Sequence, residues 1–280
     1  MKPLQFGPGV VDVLTQKVTG IRSTEHSDML SIEEPLEIRL TALVAGKRTT
    51  QAVAVTMRTP GEDKDLAAGF LFTEGIVSNP NEIADIAEPD CNIVSVTLAP
   101  GVVVDQSIFE RHSFVASSCG VCGKKSIDAV NVRRTYILTG GEPKLSAEVA
   151  HSLPDTLKMA QASFSSTGGI HASGLFDKTG KLLNVREDVG RHNALDKLIG
   201  SELLRGALPL TERILLVSGR ASFELVQKAA HAGISILAAV GAPSSLAVEL
   251  ARESGMTLLG FVRDGRFNIY CGAERISGLT

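Results

Sequence analysis

The chain has 280 residues, 44% hydrophobic and 21% charged, with a net charge of −3 and a pI near 6.1. That length can bury one large core or two small ones, the balanced charge argues against broad nucleic-acid binding, and no apolar run approaches the ~18 to 20 residues of a membrane span. The four cysteines, two of them isolated at Cys91 and Cys271, do not form the framework of a secreted disulfide scaffold, and the N-terminus has no uninterrupted apolar signal core, so a reduced, cytoplasmic setting is expected.

Residues 1–30, including "RSTEHSD", mix polar and charged side chains without a sustained period and read as a flexible leader. From Pro35 the pattern changes. Leu36, Ile38 and Leu40 alternate, "AGKRTT" interrupts, and Val53, Val55 and Met57 alternate again, which predicts a strand pair. Pro60 and Gly61 then break the chain ahead of acidic residues and "DLAAGFLFTEGI", a helix with Leu66, Phe70 and Thr73 on one face, ending near Gly75. Val94, Val96 and Leu98 suggest a further strand. Residues 31–145 therefore read as a mixed α+β lobe ending in a cysteine-bearing loop, and 146–280 as a second lobe.

In that second lobe "RILLVSGRASFELVQKAAHAGISILAAVGAPSSLAVELARESGMTLLGFV" reads strand, helix, strand, helix, strand, a βαβαβ unit whose apolar runs suit parallel strands covered on both faces. Asp264 and Gly265 predict a hairpin turn just after it. The class is α/β, layered, with a smaller α+β lobe in front.

In such a sheet the C-terminal strand ends and the helix N-termini share a crevice that favours anions. "SGRAS", with Ser218, Gly219 and Arg220, and "GAPSS", Gly241 to Ser245, should both lie there and could hold a phosphate or pyrophosphate; the alternative is that each is simply a capped helix start. "TGGIHASG" and "REDVGRHNALDKLIG" add His171, Arg191 and His192, with Asp188 placed as an N-cap, and suggest a shared polar pocket.

"SSCGVCGKKS" carries Cys119 and Cys122. A structural zinc needs four ligands, and no second C-x-x-C exists to complete the set, so no metal site is expected. A zinc deaminase would show H-x-E and then P-C-x-x-C, whereas "HAS" at His171 to Ser173 has serine in place of the glutamate and the cysteine pair comes first. Redox exchange between an attacking Cys119 and a resolving Cys122 stays open. So does a sulfur carrier: glycine and serine suit a mobile loop, and Lys124 and Lys125 favour the thiolate.

Taken in order, "EEPLEIRL", "DLAAGFLFTEG", "SSCGVCGK", "TGGIHASGL", "REDVGRHNALDK", "SGRASFELVQKAA" and "GFVRDGRFNIY" resemble the FdhD/NarQ family of formate dehydrogenase accessory proteins, over about Glu33 to Cys271. The resemblance implies a sulfurtransferase acting as a sulfur carrier. It would accept sulfur from a cysteine desulfurase as a persulfide on Cys119, with Cys122 assisting, and pass it to a molybdenum cofactor, bis(molybdopterin guanine dinucleotide), bound as substrate before that cofactor enters formate dehydrogenase. The family's cofactor-binding segment matches Phe261, Val262, Arg263, Asp264, Gly265 and Arg266, and a guanine nucleotide would occupy the same pocket. The resemblance also implies a cytidine-deaminase-like layered core and a homodimer. A cofactor-binding chaperone without sulfur transfer, or a thiol-disulfide oxidoreductase, is the alternative.

Overall fold

The computed structural model describes residues 9–44, 46–104, 138 and 141–279. Cys119, Cys122, Lys124 and Lys125 lie outside the described residues. Within the segment read from the sequence as a flexible leader, residues 10–31 form a hairpin of β1 (Val10–Thr19) and β2 (Arg22–Ser31). Its two-residue turn places Gly20 at φ 62°, in the left-handed region. Most of the ribbon is exposed on both faces, so nothing demands the apolar alternation by which strands are recognised in a sequence.

A four-stranded sheet follows, ordered β4-β3-β6-β5, from β3 (Glu34–Val44), β4 (Lys47–Arg58), β5 (Ile83–Asp90) and β6 (Ile93–Leu98). The expected strand pair is present, with one change of register. Ile38 pairs with Ala54 but Arg39 pairs with Ala52, so Val53 is an extra residue. That bulge buries both Val53 and Ala54 and turns Val55 and Met57 outward, 40% and 42% exposed, splitting a set the alternation had placed on one face. The predicted helix is α1 (Asp63–Thr73), buried nearly all round because it lies between this sheet and the helices of the second half.

The second half runs β7 (Leu145–Ser146), α2 (Ala147–Ala160), α3 (Ala162–Thr167), β8 (His171–Phe176), β9 (Leu182–Asp188), α4 (Arg191–Leu204), β10 (Ile214–Val217), α5 (Phe223–His231), β11 (Ile236–Ala239), α6 (Ser245–Glu253), β12 (Thr257–Arg263), β13 (Arg266–Cys271) and β14 (Ile276–Ser277). Its six-stranded sheet is ordered β13-β12-β11-β10-β8-β9, with β10, β11 and β12 parallel as the βαβαβ reading requires. The class is mixed α/β. Alternate residues of β10 and β11 serve opposite faces. Ile214, Leu216, Ile236 and Ala238 pack with Leu153 and Leu157 of α2, while Leu215, Val217, Leu237 and Ala239 join the core shared with α1, α4, α5 and α6.

Where α1 meets α4 the backbones nearly touch. A β-carbon on Gly69 would lie 1.9 Å from the Asp196 carbonyl oxygen, and one on Gly200 would lie 1.9 Å from that of Asp65. Two glycines thus permit the crossing that joins the halves. Across it Lys228 of α5 contacts both Asp196 carboxylate oxygens at 2.9 Å, and the Thr73 hydroxyl donates to Asp196 at 2.8 Å, all buried. No helix among the described residues is long and apolar enough to cross a membrane.

Candidate functional site

The C-terminal edge of β10, β11 and β12 carries most of the residues singled out from the sequence. Three helices begin there, α4, α5 and α6, and the positive ends of their dipoles make an environment that favours negative charge. Consecutive strand ends are tied by backbone bonds: Gly241 N–H donates to Gly219 O at 2.9 Å and Phe261 N–H to Gly241 O at 3.1 Å. A side chain would crowd the middle step, since a β-carbon on Gly241 would lie 3.0 Å from Cγ of Arg220 and 3.1 Å from Gly219 O. "GAPSS" contains a true cap, as the Ser244 hydroxyl oxygen accepts from Ala247 N–H. "SGRAS" does not; Ser222 instead takes part in a side-chain cluster.

That cluster centres on His192. Its Nε2 lies 3.0 Å from Glu224 Oε2 and 3.3 Å from the Ser222 hydroxyl, and the ring is buried. Burial would raise the Glu224 carboxyl, but His192, the Ser222 hydroxyl and the Arg191 charge together outweigh it and hold the group below its ordinary range. His171 begins β8, half-buried, with Nδ1 3.3 Å from where a β-carbon on Gly219 would sit. Burial, reinforced by the charges of Arg191 and His192 and opposed by Asp188, lowers its pKa, so its imidazole is neutral at pH 7. Ser218 closes this wall, its hydroxyl accepting from Ala172 N–H at 2.9 Å. Two polar atoms here are buried without a hydrogen-bond partner among the described residues: Nε of Arg191 and Oγ of Ser173.

The structure thus gathers His171, Arg191, His192, Ser218, Gly219 and Arg220 at one edge. The hairpin between β12 and β13 projects from the same edge, with Asp264 and Gly265 both at positive φ in its turn, as the D-G pair predicts. Arg263, Asp264, Gly265 and Arg266 are exposed at its tip. Val262 differs from the rest: it is fully buried in the core facing α2, so its side chain cannot meet a ligand. Phe261 holds φ 54°, a left-handed conformation that costs an aromatic residue about 1–3 kcal/mol, and Arg263 lies 5.9 Å from its ring centroid.

Asp188 is not an N-cap. Gly190 takes that position, and Asp188 is wholly buried, paired with Lys197 at 2.9 Å. The sequence pointed to the right turn but not to this pair, because a lysine inside a helix reads as solvated until its burial is known. Among the described residues no cluster of potential metal ligands forms, and the two cysteines present, Cys91 and Cys271, are free.

The FdhD/NarQ family model matches residues 32–277. A sulfur carrier protein of Streptomyces avermitilis is 49% identical over 275 residues, covering 94% of this chain and 95% of its own. One from Saccharolobus solfataricus is 39% identical over 260 residues, covering 93% and 95%. The crystal structure of a formate dehydrogenase accessory protein from Desulfotalea psychrophila superimposes with a TM-score of 0.75 at 25% identity, covering 96% of this chain and all of the other. With a family match along nearly its whole length and relatives well above the level at which homology is secure, the chain belongs to the FdhD/NarQ family.

Proposed function

We propose that this protein is a sulfur carrier serving formate dehydrogenase, and that the crevice at the ends of β10 to β12 holds the cofactor to which the sulfur is delivered. The observation that carries this reading is the convergence of three helix N-termini with Arg191, Arg220 and the Phe261–Arg266 hairpin on one edge, an arrangement suited to a dinucleotide's phosphates and a planar base. The names of its relatives supply the sulfur chemistry.

In this scheme the Cys119 thiolate attacks the outer sulfur of a cysteine desulfurase persulfide. The old S–S bond breaks, the desulfurase leaves as thiolate, and the sulfur is held as a persulfide on Cys119. On delivery an electron pair of the acceptor forms a bond to the outer sulfur, the S–S bond breaks and Cys119 departs as thiolate. Alternatively, Cys122 attacks the inner sulfur, forming a disulfide and expelling hydrosulfide. The molybdenum cofactor, bis(molybdopterin guanine dinucleotide), is cargo here. His171 and His192 line its binding edge, and a guanine nucleotide occupies part of the same crevice. The active form is a cytoplasmic homodimer.

Intact mass after incubation with a cysteine desulfurase and free cysteine tests the reading. A reductant-sensitive gain of one sulfur, absent in Cys119→Ala but retained in Cys271→Ala, is the expected result. Cys271 is a suitable control because burial pushes its thiol up and away from reactivity. No gain in any variant, with the desulfurase shown to be active, would replace the carrier by a chaperone that only binds the cofactor.

A further inference from the structure

Arg191 and His192 are the first two residues of α4, so their aim is set by the turn from Asp188 to Gly190. That turn is held from outside its own lobe. Asp188 Oδ1 accepts from Gly190 N–H at 2.8 Å and from Asn193 Nδ2 at 3.1 Å, while Oδ2 accepts from Thr59 N–H at 3.1 Å and from Lys197 Nζ at 2.9 Å. Lys197 also donates to Thr59 O at 2.9 Å, and the Thr59 hydroxyl accepts from Val189 N–H at 3.1 Å. Asn193 donates to Met57 O at 2.7 Å and accepts from the Thr56 hydroxyl at 3.2 Å. Thr56, Met57 and Thr59 all belong to the end of β4 or the residue just after it, in the N-terminal sheet.

A buried ion pair is weak evidence for stability, because desolvation offsets the attraction. Here the carboxylate's bonds go to two turn groups, Gly190 N–H and the Asn193 side chain, and to two groups that reach the turn from elsewhere, Thr59 N–H and Lys197. Gly190 completes the fit: a β-carbon there would lie 3.1 Å from Asn193 Nδ2 and 3.3 Å from Asp188 Oδ1.

We propose that Asp188, Lys197 and Thr59 are positioning residues through which the N-terminal sheet fixes the aim of Arg191 and His192 into the crevice. The inference rests on the reading of that crevice as an anion-binding site. It makes the ligand affinity of the second half depend on the strand end of the first.

The test uses the full-length chain and guanosine diphosphate as probe, with affinity from titration calorimetry and folding from thermal unfolding. The double variant Asp188→Asn, Lys197→Met removes the charges together and so leaves no lone buried charge. It should unfold cooperatively yet bind about tenfold more weakly, and adding Arg191→Ala should weaken it little further, since residues acting as one unit are not additive. Thr59→Val, which keeps the ion pair and removes only the hydroxyl, should lose about threefold in affinity and Thr59→Ser should restore it. Should the double variant not fold, this second pair decides the question. Wild-type affinity in a folded double variant, losses that multiply with Arg191→Ala, or an inert Thr59→Val would overturn the proposal. Failure of the wild type to bind the probe, or indifference to Arg191→Ala, would instead remove the crevice reading and the proposal with it.

Discussion

His171 is the residue whose chemistry the site alters most legibly. Burial first, and the neighbouring Arg191 and His192 charges second, lower its pKa, so below the ordinary histidine value of about 6.5 the unfolded chain binds more protons than the folded one. The cost of folding around this neutral ring is absent above that pH and sets in as pH falls through it, so stability on its account rises with pH. A bound anion opposes the Arg191 charge and raises the pKa again. Ligand binding should therefore take up a proton. Between pH 7.5 and pH 6 the ratio of wild-type to His171→Gln affinity for guanosine diphosphate should rise about two- to fivefold, the nucleotide's own titration being common to both. Calorimetry at the two pH values checks this, and an unchanged ratio would exclude His171 from the ligand's field. Which histidines and arginines converge was legible in "TGGIHASG" and "REDVGRHN", because polar residues beside apolar runs are unusual. The Asp188–Lys197 pair, the burial of Val262 and the left-handed Phe261 were not, since each depends on packing that no local pattern encodes.

Among the elements, α1 and the first hairpin behave oppositely. The α1–α4 crossing leaves no room at Gly69: an added methyl must displace the Asp196 carbonyl and the helix that bears it. Gly69→Ala should cost about 1–3 kcal/mol or more as overpacking, despite alanine's better helix propensity, and thermal unfolding will show whether the sign is right. The β1–β2 ribbon has few contacts with the rest: Ile32 N–H donates to Gly9 O within its base, and the Ser31 hydroxyl meets that of Thr167 at 2.9 Å. Isolated two-stranded ribbons are marginal in water. Amide exchange at Leu14 to Glu25 should accordingly be orders of magnitude faster than at Leu215 or Leu237, whose strands are covered on both faces. Equal protection would mean that something covers the ribbon in solution. Strongly periodic elements such as β10 to β12 were readable because burial on both faces imposes an apolar run. The ribbon was not, because exposure imposes nothing.

At the scale of the molecule, one apolar core runs from Ile38, Leu40 and Val96 of the first sheet through Leu71 and Phe72 of α1 to Leu195, Leu225 and Leu237 of the second half. A change of pattern near residue 145 is visible in the sequence, but contacts between residues more than 120 positions apart are not. The Thr73–Asp196–Lys228 cluster sits inside this core and links α1, α4 and α5. Burial pushes the Asp196 carboxyl up, against the opposing pull of Lys228 and Thr73. Removing one partner strands the other: Lys228→Met or Asp196→Asn alone should cost about 3–5 kcal/mol, whereas the two together should cost far less, because a buried pair is roughly balanced against its own desolvation. Since the core is continuous, the loss should appear in both sheets at once. Amide exchange of β3 and β10 in the single variants should accelerate together, and circular dichroism should show one transition moved to lower temperature. If β10 alone lost protection while β3 kept it, the two sheets would be separate folding units and the grip of Thr59 on the Asp188 turn would be a contact between independent bodies.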